Sequence, residues 1–199
     1  MRIVYFDCKN GISGDMAYAA LAGLLDEERS YSDVKKIIEE CVITEGAKKK
    51  ALSVYSVIAE AEASVHGKIV SDVHFHEVGR REAIWNIIGA SLCADALSID
   101  KILCSEINDG KGFIECSHGT IPVPVPAVLA MRRKCDLVFT TDENVKTEMV
   151  TPSGLAILIG LGAEYSEKIP QGKILKKAVA FGKRETGRPS GLTAYLIVS

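Results

Sequence analysis

The run His74-Phe-His-Glu77, followed by Val78-Gly79, places two imidazoles and a carboxylate side by side in a chain that has only four histidines. Neutral imidazole and carboxylate are the groups that bind borderline divalent ions such as nickel, zinc or manganese near neutral pH. On an extended backbone the side chains alternate between faces, so His74 and His76 would point one way and Phe75 and Glu77 the other. Two rings on one face can share an ion; a pair of half-buried loop histidines with no ion is the competing reading. His118, in Cys116-Ser-His118-Gly119, lies just before the proline run Pro122-Val-Pro-Val-Pro126. A stiff backbone holds a ligand still, which makes His118 the candidate for a distant third ligand. His66 closes the stretch Ala61-Glu-Ala-Ser-Val-His66, where it would offset the negative end of a helix dipole. Cys116 reads as a small core residue rather than as a thiolate ligand.

Two further segments suit an anion. Asp7-Cys-Lys-Asn-Gly11-Ile-Ser-Gly-Asp15 joins an acid to a glycine turn and a helix start, where free backbone amides and the helix dipole favour a phosphate. The residues concerned are Gly11, Ser13, Gly14 and Asp15, with Ser13 or Asp15 acting purely as a helix cap as the alternative. Thr151-Pro-Ser153-Gly154, just after Glu148, is a similar polar helix start, and Thr151 and Ser153 carry the same two readings. Arg80 and Arg81 follow the histidine run; they disfavour a bound cation and favour an anionic substrate. Trp85, the only tryptophan, falls beside an apolar helical stripe, which suggests packing or an interface.

These groups need a scaffold. Ile3–Phe6 reads as a short buried strand, followed by a helix with Ala17, Ala20, Leu21, Leu24 and Leu25 at helical spacing. Helical patterns recur over 32–41, over 51–65 with Gly67 as a stop, and from Ile84 to about Leu97. Lys101–Ile107 is strand-like and ends in an Asn108-Asp-Gly110 turn; the prolines at 122–126 make an extended connector; 127–133 and a segment from Pro152 to Leu161 are helical. Leu137–Phe139, Val179–Gly182 and Leu192–Val198 complete the strands. The expected class is mixed α/β, with helices packed on a mixed sheet in a single compact domain over 1–199. A formal charge of −2 without a basic tract argues against nucleic acid, and no apolar run is long enough to span a bilayer, so a cytoplasmic protein is expected. The six cysteines form no C-x-x-C pair and are expected to be reduced thiols, several of them buried.

Taken in order, Asp-Cys…Gly-Ile-Ser-Gly-Asp-Met at 7–16, Ala-Glu-Ala…Val-His-Gly at 61–67, His-Phe-His-Glu-Val-Gly at 74–79, His-Gly-Thr-Ile-Pro-Val-Pro-Val-Pro-Ala at 118–127 and Glu-Met-Val-Thr-Pro-Ser-Gly at 148–154 resemble the N-terminal part of the LarC family, the nickel-insertion proteins of nickel-pincer cofactor biosynthesis. The resemblance runs from Asp7 to about Val198 and takes in all four histidines. It implies a CTP-dependent cyclometallase that inserts nickel into a pyridinium bisthiocarboxylic acid mononucleotide to form the carbon- and sulfur-bound pincer cofactor of lactate racemase and related enzymes. It also implies a C-terminal domain, where CTP with manganese or magnesium would bind, beyond the part matched here. Two departures stand out: where the family usually has two aspartates after His-Glu-Val-Gly, this chain has Glu82 and the uncharged Asn86, and Arg80-Arg81 replace small or apolar residues.

The mechanism this suggests gives nickel to His74, His76 and His118, the phosphate to the two helix starts, and a ring proton to Glu77 or Glu82. The expected partners are the pyridinium mononucleotide, a separate C-terminal LarC domain and further copies of the chain in a homo-oligomer. The rival class is a non-catalytic metal-binding or scaffold subunit that needs a partner domain. A metal-dependent hydrolase is disfavoured, because the barrels that host such H-x-H motifs run to about 250 residues.

Overall fold

The computed structural model describes residues 1–9, 11–25, 28–116, 119–182, 186 and 191–198. Its centre is α3 (Glu45–His66), a 22-residue helix that stops at Gly67 as expected but starts six residues before the expected 51. The Thr44 side chain accepts from the Ala47 amide, and Gly67, at φ 62, takes the left-handed conformation that ends the helix. Ala47, Ala51, Val54, Tyr55, Ile58 and Ala59 are fully buried along one face. Side chains the size of Ile58 contribute roughly 1.5–3 kcal/mol each on burial, while the alanines let neighbouring helices come close.

Around α3 pack α2 (Tyr31–Glu40), α4 (Arg81–Ala96), α5 (Pro126–Arg132) and α6 (Pro152–Gly160). α6 comes close to α3 at Gly160, where a Cβ would fall 2.6 Å from the Val54 Cα. α2 opens on a capping box in which Ser30 and Asp33 satisfy each other's backbone amides. Both α5 and α6 place a proline in their first turn, where its missing donor costs nothing. The Thr44 hydroxyl also donates to Asp95 of α4 (2.6 Å), and Lys50 meets the same carboxylate at 2.8 Å, so α3 and α4 are fastened where α3 begins.

Helices and strands are mixed as expected, and the strands stand in five pairs. β1 (Arg29–Ser30) with β2 (His74–Phe75) and β5 (Gly112–Cys116) with β6 (Gly119–Val123) are antiparallel; β3 (Leu103–Cys104) with β8 (Glu164–Tyr165) and β4 (Ile107–Asp109) with β7 (Phe139–Thr141) are parallel. The fifth pair, β9 (Lys173–Phe181) with β10 (Gly191–Val198), is antiparallel and packs against no helix of the described residues beyond passing contact. Pro122 sits inside β6 opposite Phe113; in a two-stranded pair each strand has a free edge, so its absent donor can face outward.

Three expectations are corrected. Ile3–Phe6 forms no strand and is exposed, and of the described residues up to 25 Ala22 alone is buried. The strand expected over 101–107 breaks into β3 and β4, which pair with different partners, and Asp109 belongs to β4 rather than to a turn. None of the six cysteines is buried; all are free, with Cys8 and Cys93 exposed. The helix α1 (Gly14–Gly23) forms as the spacing predicts and touches α4.

Candidate metal and anion site

The histidine run begins as strand β2, with Ser30 opposite His74 and Arg29 opposite Phe75. Phe75 is buried between Tyr31 (centroids 6.1 Å apart, edge-on) and Tyr55 (5.8 Å), which anchors the run to α2 and α3. After Phe75 the chain turns. The Arg80 amide donates to the Glu77 carbonyl (3.1 Å), and a Cβ on Gly79 would lie 2.7 Å from the Phe75 Cβ, so this turn needs glycine there. The turn is also held from beneath, since the Tyr55 hydroxyl donates to the Val78 carbonyl and the Arg29 guanidinium to the Gly79 carbonyl, both at 2.9 Å. Burial pushes the Tyr55 phenol well above its ordinary value and keeps it a donor.

On this platform His74 is exposed and His76 half-buried. Glu77, expected on the inward face with Phe75, is exposed instead, because the strand ends at Phe75 and strict alternation stops with it. His76 Nδ1 lies 2.9 Å from a Glu28 carboxylate oxygen. Such a contact on Nδ1 favours the tautomer whose Nε2 lone pair is available to a metal. Asp33, in the first turn of α2, is held below its ordinary carboxylate value by hydrogen bonds from Ser30 and, more weakly, by His74 and Arg29. His118 lies outside the described residues. Among the described residues no group of three or more His, Cys, Asp or Glu converges as a metal cluster. His66 is in the last turn of α3 with Nε2 3.3 Å from Glu62 Oε2, the local helix-end role expected of it.

α4 starts immediately after the turn. Its N-cap residue, Arg80, makes no side-chain cap bond, and Glu82 lies in its first turn. The Tyr18 hydroxyl donates to the Arg81 carbonyl (3.3 Å), which brings α1 to the same end of α4. Asp15 precedes Tyr18 by about one helical turn of α1. Within that segment Ser13 caps α1 by accepting from the Met16 amide and donates to Asp15, while Gly11 adopts φ 88. At the second helix start, Thr151 accepts from the Gly154 amide (3.1 Å) and lies 3.3 Å from the Ser153 hydroxyl. At both starts the capping reading therefore has a geometric basis, and a phosphate would compete with the helix's own side chains.

Three residues not singled out from the sequence prove important. Glu28 orients His76, and Arg29, 7% exposed, holds the turn. Asp109 is fully buried; its Oδ1 accepts from the amides of Gly110 (2.8 Å), Met149 (2.9 Å) and Val150 (3.1 Å), which ties the end of β4 to the segment leading into Thr151. Its Oδ2 has no hydrogen-bond partner. Glu148, 3% exposed, lies on the same segment. A charged residue beside a turn signal looks solvent-exposed, so only the fold reveals Asp109; Arg29 had no spacing signal at all.

Known proteins sharpen the picture. The family described as Nickel insertion protein matches residues 25–198. The pyridinium-3,5-bisthiocarboxylic acid mononucleotide nickel insertion protein of Acetivibrio thermocellus is 38% identical over 98% of this chain and 60% of its own length; that of Clostridium kluyveri is 33% identical over 98% and 62%. The protein of the same name from Clostridium acetobutylicum is 39% identical over 82% of this chain and 38% of its own. The chain thus spans about three fifths or less of the length of these relatives. The Acetivibrio alignment runs over 247 positions against 199 residues here, so at least 48 positions of that relative have no counterpart in this chain. The Clostridium acetobutylicum alignment, 165 positions over 82% of the chain, has no room for such a gap. No solved structure matches the chain. With the family match covering most of the chain and these identities over nearly all of it, the chain belongs to the nickel insertion protein family.

Proposed function

We propose that this chain takes up nickel and presents it to pyridinium-3,5-bisthiocarboxylic acid mononucleotide, the substrate in its relatives' names, in the cyclometallation step of nickel-pincer cofactor biosynthesis. The observation that carries the reading is the braced turn at 76–79: a backbone fixed by Tyr55 and Arg29 presents His74 and His76, and Glu28 on His76 Nδ1 leaves Nε2 for a borderline divalent ion. In this reading His74, His76 and His118 receive nickel. Gly11, Ser13, Gly14 and Asp15, together with Thr151 and Ser153, hold the mononucleotide phosphate, and Arg80 and Arg81 attract the anion. As the carbon–nickel bond forms, the ring C–H bond breaks, its electron pair passes to nickel and its proton to Glu77 or Glu82. CTP with manganese or magnesium is assigned to a separate C-terminal LarC domain, and the whole process to the cytoplasm and to a homo-oligomer. In line with a site outside the bilayer, no helix of the described residues is long and apolar enough to cross a membrane.

The test is nickel titration of the protein and of the double variant His74→Ala, His76→Ala, with cofactor maturation followed after adding CTP, manganese and a C-terminal LarC domain. The variant is expected to lose nickel affinity by about tenfold or more and to lose maturation; unchanged affinity refutes the assignment. The absence of a three-ligand cluster among the described residues favours a second reading, a non-catalytic metal-binding or scaffold subunit completed by a partner. Nickel binding without turnover in the same mixture would select it.

A further inference from the structure

The hairpin β9–β10 is the one pair whose two faces are both open. All of β9 is exposed, as is most of β10, with Ile174, Val179, Phe181, Leu192, Tyr195 and Val198 among the exposed apolar side chains. An isolated two-stranded hairpin is marginal in water, and a third strand or a packing face normally supports it. Natural sheets blunt a free edge with charge, and here the two edges differ. β9 carries Lys173, Lys176 and Lys177; β10, Gly-Leu-Thr-Ala-Tyr-Leu-Ile-Val over 191–198, carries no charge and no proline. One edge is guarded and the other is left able to pair.

We propose that the β10 edge is a dimer surface whose occupant is β10 of a second copy of this chain, giving a four-stranded antiparallel sheet in the order β9–β10–β10–β9. An isologous contact places the same strand on both sides of a two-fold axis, so any charge on it meets its own kind. β10 meets that condition. Pairing through β9 would instead set the lysines of one copy against those of the other, whereas pairing through β10 leaves all of them outermost. The rival within the chain is Ile3–Phe6, also exposed and unpaired. It precedes α1, which is fastened to α4 through Tyr18 and Arg81, and neither α1 nor α4 packs against the hairpin beyond passing contact. It also offers half the length of β10. This inference supplies the surface for the homo-oligomer proposed above and does not depend on nickel, so its failure leaves the nickel reading intact.

The experiment is a charge swap at the middle of β10, read by light scattering after size exclusion on the whole chain. The unmodified protein is expected at twice the 21.4 kDa chain mass. Ala194→Lys and Ala194→Glu should each weaken dimerisation by about tenfold or more, and their equimolar mixture should restore it. Circular dichroism confirms that each variant is folded; should one not be, hydrogen exchange on the unmodified protein decides, with β10 amides protected at high concentration and exposed on dilution. A chain monomeric at every concentration overturns the proposal, as does a dimer indifferent to both charges. Only the β10 amides that face away from β9 carry this readout, since the others are bonded within the hairpin; concentration-independent protection of those outward-facing amides also overturns the proposal, because a segment of the same chain, such as Ile3–Phe6, would then be the occupant.

Discussion

Tyr55 and Arg29 reach the histidine turn from the core side and take two consecutive carbonyls, those of Val78 and Gly79. A phenol and a guanidinium in these positions act only on the backbone, so their loss should be felt as looseness of the turn. Tyr55→Phe is expected to cost about 1 kcal/mol in urea unfolding and to weaken nickel binding while leaving the histidines in place; equal affinity in the two proteins would mean that the brace does not shape the site. Asp109 is a sharper case. Its Oδ1 takes three amides in a site with no access to water, and Asp109→Ala would strand those donors. The expected loss is about 3 kcal/mol or more, with a much smaller loss for Asp109→Asn, whose amide oxygen can still accept. Chemical denaturation of the two variants side by side checks the order.

Helix ends were the most legible part of the sequence, and the junction of α3 with α4 shows why. Gly67 and Pro152 act through their own backbone, so local chemistry suffices to place a boundary. Asp95 was not legible, because its partners Thr44 and Lys50 are far away along the chain. The Lys50 ammonium first, and then the Thr44 hydroxyl, hold the Asp95 carboxyl below its ordinary 3.8. A carboxyl depressed on folding stabilises the fold above its unfolded value and loses that contribution as pH falls through the lowered one. The melting temperature of the parent should therefore exceed that of Asp95→Asn near pH 6, and the difference should shrink below about pH 3.8. Gly46→Ala should mimic the loss at any pH, since its Cβ would run into the Asp95 carboxylate. Strands were harder to read for the opposite reason. Ile3–Phe6 has ideal strand residues and forms none, because a strand exists only where a partner meets it, while two-residue strands such as β1 and β3 have partners but no pattern.

On the scale of the molecule, the residues proposed for the site fall at the ends of elements: the end of β2, the starts of α1, α4 and α6, and the residues just before β1. The residue types at these ends were visible in the sequence, and the family motifs mark most of them. The orienting contact from Glu28 was not, since it joins positions 48 residues apart. Neutralising Glu28 by Glu28→Gln is expected to lower nickel affinity severalfold, because the carboxylate no longer favours one tautomer of His76; nickel titration of the variant beside the parent reads it out.

Trp85 gives this arrangement an optical consequence. It is the only indole, 47% exposed, and stands one turn into the helix that begins directly after Arg80. Nickel(II) quenches indole emission at short range, so under the proposed reading the ion's arrival at the turn would be followed in the unlabelled protein, with excitation at the long-wavelength edge where the six tyrosines do not absorb.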